Sequence, residues 1–176
     1  MSAMIGCIAA SQRPDLFKHV ILLNGSPRYL NNMVYKGGFG SSDIDAILKN
    51  IKDDYYGWIT KFAPTAIGVN NTSAVQEFES SLEKMEPDIA LEVAKTVFLS
   101  DYRCLLPSVK VPATIIQSQN DNVVPLSVPW YMKNMLGGST RVEILLTDGH
   151  FPQLTEYTLL VAVIKRVCHG LPSLNL

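Results

Sequence analysis

The stretch Ala113-Thr114-Ile115-Ile116-Gln117-Ser118-Gln119-Asn120-Asp121-Asn122-Val123-Val124-Pro125, followed by Val142-Glu143-Ile144-Leu145-Leu146-Thr147-Asp148-Gly149-His150, decides how this chain is read. Each run opens with apolar residues in a block too short for a helix and suited to a strand inside a parallel sheet. Each strand empties into a loop carrying a chemically active side chain, Asp121 in the first and His150 in the second. Val128 to Leu136, between them, has helical spacing. A closing helix follows over Leu154 to Val167, with Leu159, Leu160, Val163, Ile164 and Val167 along one stripe. Upstream, Val20-Ile21-Leu22-Leu23 repeats the buried-strand signature. It follows a helix that begins near Ala3, presents the small residues Ala3, Cys7 and Ala10 on one face, and breaks at Arg13-Pro14-Asp15. The alternation predicts an α/β fold that retains about three parallel strands.

Between Gly25 and Ser100 the texture is helical. Ile44, Ile47, Leu48, Ile51, Tyr55 and Trp58 keep helical spacing throughout, behind a cap at Ser42-x-x-Asp45. Pro64 is expected to separate a short element over Ala63 to Ile67. Ser73-x-x-Gln76 reads as a capping box ahead of Val75, Phe78, Leu82 and Met85. Pro87 suits the first turn of a helix with Ile89, Leu91, Val93, Ala94, Val97 and Phe98. Roughly four helices without a strand signal look like a cap inserted into the sheet domain. The expected division is core over 1–24, helical lid over 25–105, and core again over 106–176.

Composition removes several function classes. The chain has 176 residues, 47% of them hydrophobic, and a net charge of −1 with no basic run, which gives no case for nucleic acid or an acidic membrane surface. No apolar run is long enough to span a bilayer, and the opening Met1 to Ala10 lacks the charged region of a signal peptide. Cys7, Cys104 and Cys168 are odd in number and widely spaced, which fits reduced thiols in the cytoplasm or nucleus. No metal cluster or cofactor motif is present, and none is expected.

An acid and then a histidine, each past the end of a strand, is the second part of the Ser…Asp…His order of α/β-hydrolases. Asp121 can accept from His150 Nδ1 and leave Nε2 free to take a proton from a serine. The serine itself is the difficulty. No Gly-x-Ser-x-Gly occurs among the 176 residues, Ser2 has no strand ahead of it, and Pro27 spoils an elbow at Ser26. The opening helix reads as the one that comes after such an elbow, so the chain is expected to be N-terminally truncated and to lack triad turnover. Phe39, Trp58, Phe62, Phe78 and Phe98 lie on separate lid elements and together can line an apolar chamber above the pair.

An ordered set of segments carries a resemblance. Ser2-Ala3-Met4-Ile5-Gly6, Ser26-Pro27-Arg28-Tyr29-Leu30-Asn31, Gly37-Gly38-Phe39, Phe62-Ala63-Pro64, Ala74-Val75-Gln76-Glu77-Phe78, Pro87-Asp88-Ile89-Ala90, Ser100-Asp101 and Gly149-His150-Phe151-Pro152-Gln153-Leu154 resemble the plant strigolactone esterase and karrikin-insensitive receptor family of α/β-hydrolases. Some of them lean toward its third, DWARF-like branch. The resemblance implies a butenolide hormone receptor and slow serine-type ester hydrolase in the full-length parent, working with an F-box protein and repressor targets. It implies Asp121 as the acid and His150 as the base. It also implies Phe39, Trp58, Phe62, Phe78, Phe98, Asn122 and Val123 as pocket-lining residues, with Asn122 departing from the apolar residue common there. A non-catalytic module for a small molecule or a protein, and another capped esterase or acyl hydrolase, stand as the alternatives.

Overall fold

A computed structural model describes residues 1–170. Helix α1 (Ser2–Gln12) leads through a short 3-10 turn into strand β1 (Val20–Leu23). Helices α2 (Ser41–Asp53), α3 (Tyr55–Ile67), α4 (Thr72–Glu83) and α5 (Pro87–Leu99) come next. Strand β2 (Ala113–Asn120), helix α6 (Ser127–Met135), strand β3 (Thr140–Asp148) and helices α7 (Pro152–Thr155) and α8 (Tyr157–His169) complete the order. The strands are parallel and ordered β1-β2-β3, with Val20 beside Ala113 and Ala113 beside Thr140. This is the α/β arrangement expected, with a four-helix insertion between β1 and β2.

Both sheet faces are apolar because successive strand residues alternate sides. Leu22 and Ile115 join Cys7 of α1 and Val128 and Met132 of α6 in one core. On the opposite face Ile116 and Leu145 pack with Leu160 and Val163 of α8, with Ile21 and Leu23 alongside. The small face of α1 buries Cys7 and Ala10 completely, and burial in this apolar seat pushes the Cys7 thiol up to about 11. Near the end of the β2–β3 ladder the register shifts. Ser118 lies beside Leu145 but Asn120 beside Asp148, so β3 has three residues where β2 has two.

The helical boundaries depart from expectation in instructive ways. The run from Ile44 to Trp58 forms two helices, because Asp54 ends α2 and its side chain then accepts from Gly57 N at 3.0 Å to cap α3. Gly40 precedes α2, with its N–H on the Asp43 carboxylate at 2.8 Å, so the cap lies upstream of Ser42. Asn71, accepting from Ala74 N, replaces Ser73 as the cap of α4. Pro64 stays inside α3. The N–H that proline lacks would have served the carbonyl of Thr60, which is exposed, while Ala63, Ala66 and Ile67 around it are buried. The closing helix divides at Glu156 into α7 and α8.

The insertion leaves and rejoins the sheet through one neck. Tyr102 N donates to Pro27 O at 2.8 Å. Beside that bond Asp101 accepts from Arg28 and, through both oxygens, from Arg103 at 2.8 and 2.7 Å. The two guanidiniums, Arg103 foremost, hold the Asp101 carboxyl well below the usual carboxylate range.

Candidate active site

Parallel strands deliver their functional loops at their carboxyl ends, and β2 and β3 are neighbours there. Asp121 follows β2 directly, and its carboxylate is fully buried. Oδ1 accepts from Val123 N at 2.8 Å and Val124 N at 3.1 Å, the two amides of the turn that it begins. Oδ2 faces His150 Nδ1 at 2.8 Å. The imidazole retains 16% of its side-chain exposure, which opens onto the cavity.

His150 is placed by its backbone. Gly149 ahead of it has φ +87°, a conformation that glycine adopts without Cβ strain. A Cβ there would stand 1.8 Å from Ile67 O at the end of α3. Gly149 N donates to Asn120 O and His150 N to Ala66 O, both at 2.8 Å. His150 O accepts from Asn24 Nδ2 at 2.9 Å. Asn24 is itself buried at φ +42° just past β1, and it exchanges hydrogen bonds with Ser118. The last turn of α3 and the ends of all three strands therefore converge on one residue.

Above the pair lies a cavity of about 430 Å³. Trp58, Phe62, Phe98 and Val123 line it. Phe39 and Phe78 stand behind the lining. Phe39 packs on Phe98 with ring centres 5.5 Å apart, and Phe78 bridges Phe62 and Phe151 at 6.2 and 4.3 Å. Asn122 does not face the cavity. It is exposed, and its Nδ2 donates to Thr65 O at 3.0 Å, tying the acid loop to α3. A polar side chain at the rim finds a free helix-end carbonyl more readily than an apolar chamber.

Sequence reading passed over Tyr29, Phe151, Gln117 and Asn24. Tyr29 lines the cavity among apolar neighbours, and burial, reinforced by the Asp121 charge, pushes its phenol up to about 12. Its hydroxyl thus keeps its proton. Phe151 sets its ring edge-on to His150 at 4.9 Å. Ser26 makes a turn with Arg28, as its Pro27 neighbour suggested, and Ser2 lines the cavity. His19 bonds Thr114 and His169 bonds Lys165 O, both through interactions outside this site. No cluster of three or more metal-ligating side chains occurs among the described residues.

No family model matches the chain. It is 46% identical over 170 residues to the Karrikin insensitive 2 receptor CA of Petunia hybrida, covering 96% of this chain and 63% of the relative. The Strigolactone esterase D14 of Arabidopsis thaliana matches at 45% identity over 166 residues, covering 94% of this chain and 62% of the relative. The chain thus spans somewhat less than two thirds of the length of these relatives. A hydrolase from Oleispira antarctica superposes with a TM-score of 0.90 at 27% identity, over 96% of this chain and 62% of that one. An enol-lactonase from Burkholderia xenovorans, at 12% identity and a TM-score of 0.79 over 96% and 62%, shares the fold.

Proposed function

The chain belongs to the family of karrikin insensitive receptors and strigolactone esterases among the α/β-hydrolases, and from that premise we propose that it carries the acid–histidine half of a serine-type ester hydrolase and the chamber for a small butenolide-type ligand. The observation that carries this reading is the 2.8 Å hydrogen bond between His150 Nδ1 and buried Asp121 at the floor of an aromatic cavity. Residues 1–24 and 106–176 form the core in this reading, with 171–176 lying outside the described residues, and 25–105 form the lid.

In a triad of this type a serine attacks the ester carbonyl. His150 Nε2 accepts the hydroxyl proton as the oxygen–carbon bond forms, then returns it to the leaving alkoxide as that carbon–oxygen bond breaks. Asp121 fixes the imidazole and faces the positive charge that develops. The apolar lining supplies affinity, and a slow acyl intermediate beneath the lid gives a receptor time to change shape. Recruitment of an F-box protein and repressor targets, in cytoplasm and nucleus, belongs to this same proposal. No helix among the described residues is long and apolar enough to cross a membrane.

A synthetic aryl-ether butenolide tests the reading. The 176-residue chain is expected to be stabilised on binding, by about 2.7 kcal/mol at a hundredfold excess over Kd, and to release no product. Absence of stabilisation refutes the ligand chamber. Product release that disappears in His150→Ala refutes the division of the triad.

A further inference from the structure

Gln117 is the last buried residue on its own face of β2 before the acid loop, and it is completely buried. Its Nε2 donates to Asp121 Oδ2 at 3.0 Å and to Val124 O at 3.1 Å, with Ser118 O at 3.4 Å. Its Oε1 has no partner. Turning the amide over would not help, because Oε1 would then face three acceptor oxygens, one of them a carboxylate. The orientation is therefore fixed, and the bare carbonyl is the cost of aiming both N–H groups at the acid loop. An apolar side chain of the same length would bury better here.

We propose that Gln117 is a positioning residue that pins Asp121 Oδ2 in the ring plane of His150, so that the imidazole carries its proton on Nδ1 and presents a bare Nε2 to the cavity. The two turn amides anchor Oδ1, and besides the imidazole the Gln117 amide is the side-chain donor that reaches Oδ2. That donor acts at the oxygen that meets the histidine and sets its lone-pair direction there. This inference rests on the acid–histidine reading of the site, but its test requires no substrate.

The test is the neutral tautomer of His150 in the intact chain, read from ¹⁵N shifts of labelled histidine and assigned by His150→Ala. The wild type is expected to carry Nδ1–H almost exclusively, and Asp121→Asn to lose that preference. Gln117→Met, matched in length and apolar, is expected to show a several-fold rise in Nε2–H while its Tm holds or increases. A merely structural glutamine would lower Tm and leave the tautomer alone. Should Gln117→Met fail to fold, the wild-type carboxamide protons of Gln117 decide the matter. Slow exchange and a shift in Asp121→Asn support the proposal. Rapid exchange, no such shift, or a wild-type tautomer in folded Gln117→Met overturns it. A chain that turns over no ester can still satisfy this test, so the two proposals fail separately.

Discussion

The four-helix insertion meets the sheet in two places, and they are built from opposite physics. At the neck, Arg28, Asp101 and Arg103 form a partly exposed ionic cluster, with the carboxylate 33% exposed. At the histidine seam, the last turn of α3 meets Gly149, His150 and Asn122 through neutral hydrogen bonds and a backbone contact too close for a side chain. The first attachment depends on charge and solvent. The second depends on shape. A lid hung in this way can loosen at its neck without moving the histidine, whereas any shift of α3 acts on the histidine directly.

Gly149→Ala should have the largest effect. Positive φ and the Ile67 carbonyl act together, for a loss on the order of 3 kcal/mol or more, or roughly 6–12 °C in Tm for a chain of this size. The comparison breaks if circular dichroism melting shows no greater loss than a neck variant gives. Asp101→Asn should cost about 1 kcal/mol at neutral pH, and less near 1 M salt, where screening acts within about 3 Å. Its carboxyl is depressed in the folded state, so its stabilisation is complete above the ordinary value of 3.8 and disappears as pH falls below that value. Wild-type and Asp101→Asn melting points should therefore converge in acid, while the Gly149→Ala deficit persists. Asn122→Ala should have the smallest effect, about 0.5 kcal/mol, since it removes one exposed hydrogen bond. A larger loss in Asn122→Ala than in Asp101→Asn would assign the seam more polar character than its geometry gives it.

The strands and the two chemical loops were legible because their information is local. Val20 to Leu23 is an apolar block, Ile115 and Ile116 stand at the centre of β2, and Asp121 and His150 each follow a strand end. The lid boundaries were harder, because a cap such as Asp54 interrupts a helix without interrupting its apolar period. Asn122 was misplaced because its partner, Thr65 O, lies on another element. The supporting amides were missed for the same reason, since Asn24 meets His150 across 126 positions. Gln117 did leave a trace in the sequence, as a carboxamide inside an otherwise buried strand, where an unpartnered amide is disfavoured.

The extra residue in β3 makes the acid–histidine pair sensitive to length as well as to side-chain identity. Side chains on a strand alternate with every position, so deleting Leu146, which is 81% exposed and packs little, would invert the parity of each residue after it. Gly149 and His150 would then emerge toward the α8 side, and the imidazole would lose its carboxylate. The loop tip at Met33 and Val34, where both side chains project into solvent, answers to no such parity. Natural insertions and deletions should thus be tolerated in that loop and excluded from the last turn of the pleat ahead of the histidine.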